Sequence, residues 1–371
     1  MFYESILWTI IFIVTLLIFL AGIVYLVTRV SRFESIKRIT KDNKKLKLAV
    51  SVLILLTAII LLHITLGYVN AVVVIISLLI FWILSEAVIK IIERLMGRAL
   101  CSRIYLAGTI ALIVTALYLS VGWYNDRHVV ETYYHIDTEK AVDKLRIVQI
   151  TDSHLGTTFD GEGFEKWLDK IQKCNPDVVL ITGDYVDGGS SYEDIVAASK
   201  ALGKLKTTYG VYYSFGNHDR NFYELKSDYT EEQLIGELTK NNVVILKDEM
   251  RELPGGYILL GREDASVMNR MPIEELVENT DKNRFIIDMN HQPNDYNAEE
   301  KAGVDLVLSG HTHGGQLFPI NNVGIWIGAN DKIYGREKRS NTEFVVSSGI
   351  SDWAIDFKTG CKSEYVVIDI E

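Results

Sequence analysis

The chain has 371 residues, enough for more than one domain, and its formal charge of −10 conceals two unlike halves. Residues 1–124 are mostly apolar and carry 12 Lys/Arg against 5 Asp/Glu, whereas the remainder carries 26 against 43, a net of −17. So acidic a half excludes a general nucleic-acid surface, and the three cysteines (Cys101, Cys174, Cys361), in no metal-type spacing, provide no disulfide framework.

Four apolar runs in the first half are long enough to cross a bilayer, which takes roughly 20 helical residues. They cover residues 6–30, 48–67, 71–91 and 104–123, the second and third joined only by Tyr68-Val69-Asn70 as a tight hairpin. The first has no basic residues before it and no small-residue cleavage site, so it reads as a retained helix. The loop after it is rich in Lys and Arg (Arg29, Arg32, Lys37, Arg38 and onward to Lys47), and Lys90, Arg94, Arg98 and Arg103 lie between the third and fourth runs. Positive loops stay cytoplasmic, which puts the second half outside the cytoplasm. Trp8, Tyr118, Trp123 and Tyr124 then fall at the outer interface, Tyr25 and Trp82 nearer the inner one. His63 and Glu86, the ionisable residues within the spans, lie within a few turns of a helix end, where snorkelling suffices.

Residues 125–144 read as a polar linker. Beyond it, apolar runs at 145–151, 177–182 and 211–215 read as buried strands, with helices over 164–174 and 192–205 between them. Later strands are expected at 243–246, 257–260, 285–289, 304–308, 344–347 and 365–370. Strands alternating with helices predict an α/β domain over 145–371, and the extra C-terminal strands favour a second sheet packed on the first.

Short polar clusters follow these strands: Asp152-Ser-His154, Gly183-Asp184, Gly216-Asn217-His218-Asp219, Asn290-His291 and Gly310-His311-Thr-His313. Alone, each is weak; Gly-Asp is often a turn, and Gly-Asn-His-Asp can cap a helix. Their shared placement after apolar runs is what points to a site. Carboxylate, imidazole and amide oxygen form the ligand set for two divalent metals side by side, and strand ends can hold such ligands in fixed relation.

In these residues the chain resembles the calcineurin-like metallophosphoesterases, whose ordered signature is D-x-H, G-D-x-x-D, G-N-H-[DE], a separate His, then G-H-x-H. All of it is present, over about residues 145–371. LSGHTHGGQLFP (308–319), HQPND (291–295) and the final SSGISDW…SEYVVI segment resemble more narrowly the multi-spanning, membrane-anchored bacterial branch. The resemblance implies a four-layer sandwich, two mixed sheets flanked by helices, here preceded by a four-helix transmembrane bundle. It implies Asp152, His154 and His313 on one metal, Asn217, His291 and His311 on a second, and Asp184 bridging both. Two cations about 3.5–4 Å apart can activate a bridging water and clamp phosphoryl oxygens, and they reverse the acidic field for an anionic substrate. His218 would protonate the leaving oxygen, oriented by Asp187 or, in competition, Asp219. Mixed O/N ligands accept Mn, Fe or Zn.

Three positions depart from the pattern. Gly188 stands where the family's protein phosphatases carry Arg, which weakens a protein-phosphatase reading. Asp356 and Lys358 replace an expected Pro and Arg, with Lys358 expected at the substrate rim as a point charge. The function expected is a membrane-anchored phosphoesterase with two divalent metals, acting on phosphate mono- or diesters, lipid-linked ones among them. The competing expectation is a transporter or sensor regulated by its phosphoesterase domain; the lack of Gly/Pro-interrupted helices argues against transport.

Overall fold

The computed structural model describes residues 17–100, 104–220 and 227–371. It divides into two compact units, residues 1–120 and 121–371.

The first unit is helical: α1 (Leu17–Val30), α2 (Glu34–Ile39), α3 (Lys44–Met96) and most of α4 (Leu106–Arg127). Two helices among the described residues, α3 and α4, are long and apolar enough to cross a membrane, where four were expected. The first expected span lies partly outside the described residues, and the 14 residues of α1 are too few alone. The expected loop at Tyr68-Val69-Asn70 is helical instead; the break is at the single residue Gly67 (φ 78°, ψ 173°), which lacks the Cβ that would forbid it. Glu86 does not snorkel. It is buried against Arg29 (2.8 Å) and Arg32 (2.9 Å) and accepts a hydrogen bond from Tyr105.

The second unit contains two six-stranded mixed sheets. The strands in chain order are β1 (Val130–Ile136), β2 (Leu145–Ile150), β3 (Val178–Thr182), β4 (Val211–Ser214), β5 (Val243–Ile245) and β6 (Glu249–Leu253). They continue with β7 (Tyr257–Gly261), β8 (Phe285–Met289), β9 (Leu306–Ser309), β10 (Gly335–Arg339), β11 (Thr342–Val346) and β12 (Glu364–Ile370). One sheet runs β1-β12-β2-β3-β4-β5, the other β10-β11-β9-β8-β7-β6. The segment expected as a linker contributes β1, paired in parallel with β12 from Val130↔Glu364 to Ile136↔Ile370. Its residues alternate between half-buried and exposed until Ile136, so the strand lacks an apolar run.

Three apolar clusters separate four layers. Ile147, Leu180, Leu259, Ile287 and Leu308 fill the space between the sheets. Phe164, Leu168, Ile195, Leu202, Leu234 and Leu238 join the other face of the first sheet to α5 (Gly161–Ile171), α6 (Tyr192–Leu202) and α7 (Glu231–Lys240). Ile273, Tyr296 and Phe344 do the same for the second sheet with α8 (Ile273–Leu276) and α9 (Tyr296–Ala302). Asp160, Ser191 and Thr230 each accept a backbone N–H in the first turn of α5, α6 and α7, which sets where these helices start. The central strands β2, β3, β8 and β9 are buried on both faces, so their ends are rigid supports for polar loops.

Candidate metal centre

All the expected ligands leave the ends of five strands: Asp152 and His154 after β2, Asp184 after β3, Asn217 after β4, His291 after β8, and His311 and His313 after β9. Pairing of β2 with β3 and of β8 with β9 gathers the ligands of each sheet, and packing of one sheet on the other brings Asp152 and His311, 159 positions apart, into contact. Gly216 and Gly310 are demanded by space here. A Cβ on Gly310 would stand 2.1 Å from Thr151 Oγ1, and one on Gly216 would stand 2.2 Å from Asp184 Oδ1. Five of the expected ligands hold positive φ: Asp152 (53°), His154 (37°), Asp184 (50°), His311 (69°) and His313 (47°). Non-glycine residues rarely adopt such angles, and each costs roughly 1–3 kcal/mol, so the surrounding structure must impose them.

Two groups could each hold a metal ion: Asp152 with His154 and His313, and Asp184 with His291 and His311. Within each group the ligand atoms lie within 4.8 Å of one another. Asp184 reaches both, its Oδ2 being 3.7 Å from His154 Nε2 and 3.0 Å from His291 Nε2. Both of these nitrogens are buried and neither makes a well-directed hydrogen bond, so a cation would suit each as a partner. The donor set therefore fits divalent ions.

Neighbouring groups aim the ligands. His291 Nδ1 donates to the Thr182 carbonyl at 2.8 Å, which leaves Nε2 to face Asp184. His313 Nδ1 lies 3.3 Å from Asp352, while Asp152 accepts the His311 N–H at 3.0 Å. Asn217 Oδ1 is 2.8 Å from His311 Nδ1, which places the amide with the second group. Burial opposes the charge on Asp184, but His291, then His154 and His218, hold its carboxyl well below the usual range. Burial likewise opposes the charge on His291, yet Asp184 raises its pKa well above the ordinary value. Burial pushes His311 down to about 4 and His313 to about 3, so both imidazoles are neutral and offer lone pairs.

His218 sits beside the first group, 5.2 Å from the His154 ring between centroids. Its backbone N–H donates to Asp184 Oδ1 at 2.8 Å. Asp187, expected to orient His218, makes its hydrogen bond to His154 Nδ1 instead (3.2 Å), and toward His218 it contributes charge. Asp219, the competing candidate, accepts the backbone N–H groups of Asp184, Val186 and Gly216 and so shapes the loop.

Lys358 is not at a substrate rim. It is wholly buried, its ammonium donating to the carbonyls of Ser348 and Ser351 (2.8 Å each) and to Ser363 Oγ, 3.7 Å from Asp352. Two neighbours of the site escape sequence reasoning: Asp352, and Trp353, whose half-exposed ring is 4.7 Å from His218. Both belong to the SSGISDW segment, and nothing in their spacing marks them, since contact with the site arises only on folding.

Ligand groups gathered at the strand ends of two packed mixed sheets define a metal-binding α/β sandwich. The chain belongs to the calcineurin-like phosphoesterase family, whose profile matches residues 145–315. An uncharacterized metallophosphoesterase of Helicobacter pylori is 32% identical over 240 residues, covering 63% of this chain and 61% of that protein. One from Aquifex aeolicus is 31% identical over 192 residues, covering 50% and 70%. A Danio rerio transmembrane protein with metallophosphoesterase domain is 28% identical over 290 residues, covering 73% and 64%. The chain thus spans a little under two thirds of the Helicobacter and Danio proteins.

Proposed function

We propose that the protein is a membrane-anchored, metal-dependent phosphoester hydrolase with two divalent ions, held by Asp152, His154 and His313 and by Asn217, His291 and His311. Asp184 is shared between them, and its reach toward both histidine groups is the observation that carries this reading. Bound there, the ions would supply Lewis acidity to a phosphoryl oxygen and lower the pKa of a water. The chain's own residues orient and protonate. Asp187 positions His154 through Nδ1, while His313 Nδ1 lies against the Ser351 carbonyl and Asp352. His218, at the open side beside Trp353, donates a proton to the leaving oxygen. Burial lowers the His218 pKa, while Asp184 and Asp187 work against that shift. Phosphate mono- or diesters fit the centre, and Mn, Fe and Zn suit the mixed donors.

We read α3 as two crossings broken at Gly67, with α4 as a further crossing and the catalytic unit outside the cytoplasm. Such an anchor favours lipid-linked phosphates. Purified full-length protein, supplied in turn with Mn²⁺, Zn²⁺ or Fe²⁺, is expected to hydrolyse a chromogenic phosphate mono- or diester. Asp184→Asn should reduce turnover to background and His218→Ala should reduce kcat by about 10²–10⁴-fold, with circular dichroism unchanged. An inert, metal-loaded wild type would overturn the reading.

A further inference from the structure

Residues 317–330, Leu-Phe-Pro-Ile-Asn-Asn-Val-Gly-Ile-Trp-Ile-Gly-Ala-Asn, carry no charge within an otherwise acidic unit, and they begin four residues after His313. Their apolar side chains face outward. Ile320, Val323, Ile325, Trp326 and Ile327 are all exposed, Trp326 at 68% and Ile327 at 71%. A contiguous apolar patch on a folded unit marks an interaction surface, and scattered single residues would not need this explanation. The segment is pinned at both ends. The Gln316 carbonyl accepts the N–H groups of Thr359 and Gly360 (2.8 and 2.9 Å), Phe318 N–H donates to Thr359 Oγ1 (3.0 Å), and beyond the patch Asp331 N–H donates to the Pro293 carbonyl (2.7 Å).

What covers the patch is indicated by its root. The loop that holds Gln316 and Phe318 is itself bonded to the last turns of α4: Lys358 N–H donates to the Gly122 carbonyl and Asn125 Nδ2 to the Lys358 carbonyl, each at 3.0 Å. Packing there is so close that a Cβ on Gly122 would meet Thr359 Cγ2 at 2.6 Å. The patch therefore emerges one loop away from Trp123 and Tyr124, half-exposed aromatics at the outer end of an apolar helix. Trp and Tyr favour the headgroup level, where an apolar ring and a polar edge are both satisfied.

We infer that residues 320–327 form a membrane-interface element, seated in the headgroup boundary of the bilayer beside the outer end of α4 and holding the metal centre at the lipid surface. The inference rests on α4 crossing the membrane. Apolar side chains on an uncharged loop enter the interface by burying area, with no need for anionic lipid.

The test uses the full-length protein in phosphatidylcholine vesicles containing a phospholipid with a diazirine near its headgroup. After illumination, labelled residues are mapped by mass spectrometry. Labelling within 317–330, several-fold above that of the peptide around the fully exposed Met268, is expected alongside labelling of α3 and α4. In Trp326→Glu the labelling of this segment should be lost, with hydrolysis of a soluble chromogenic ester retained. Label in α3 and α4 but none in 317–330 would overturn the inference while leaving the membrane reading standing. Label in none of them would remove both. Cross-linking of the segment to a second copy of the chain, in place of lipid, would also overturn it.

Discussion

At the scale of residues, the centre is built from side chains whose conformations are unfavourable in isolation. Five of its candidate ligands hold positive φ, and Gly310 has no room for a Cβ because Thr151 and Asp152 press against it. Such geometry persists only because rigid strand ends over-determine it. Asp352 illustrates the same point one step outward: it faces His313 Nδ1 and is itself 3.7 Å from the buried Lys358 ammonium. Asp352→Asn should weaken metal binding by about 10–100-fold, the usual cost of losing a ligand's orienting partner, as read by metal titration. His291 sets a pH dependence. Its raised pKa means that the ion-free protein keeps the imidazolium paired with Asp184, so metal uptake must displace a proton. Apparent metal affinity should therefore rise with pH. The stability that this ion pair gives the ion-free protein is fully present below the unfolded histidine pKa and is lost as pH rises through the folded one. Calorimetric titration in buffers of different ionisation enthalpy would count the released proton, and a pH-independent affinity would contradict the assignment.

At the scale of elements, the buried strands are legible in sequence, and of the four edge strands only β5 is. Strands β2, β3, β4, β8 and β9 appear as apolar runs at nearly their observed positions, because burial on both faces demands apolar residues throughout. The strands that sequence reading missed, β1, β6 and β10, all lie at sheet edges. Edge strands are kept polar to discourage pairing with other chains, so Glu249–Leu253 and Gly335–Arg339 resemble loops. Strand β1 matters most, since it converts a presumed tether into part of the domain. Its Ile136 is almost wholly buried between the sheets. Ile136→Ala should cost roughly 2–5 kcal/mol and lower the denaturation midpoint of the second unit, whereas an independent linker would show no change.

At the scale of the whole molecule, the second unit begins at residue 121, and its first residues are bonded to Lys358 and Ser363 of the same unit. The buried imidazoles and carboxylates of the centre hold their places at a cost that bound ions would offset. At free metal about 100-fold above its Kd, each ion should stabilise the folded unit by about 2.7 kcal/mol. Chelation is accordingly expected to lower its melting temperature, reversibly on adding back Mn²⁺ or Zn²⁺, as followed by intrinsic fluorescence. An unchanged melting point after verified metal removal would speak against a built metal site.

The sequence by itself determined the family signature, the candidate ligand residues, the α/β class and the apolar character of the first half, because each depends on residue types in order along the chain. Only the tertiary structure decided that Asp187 bonds His154, that Lys358 is buried, that Asp352 and Trp353 stand beside the centre, and that residues 130–136 form a strand. These contacts join positions far apart in sequence, and pairing of strands, with the loops they carry, creates distances that local composition does not encode.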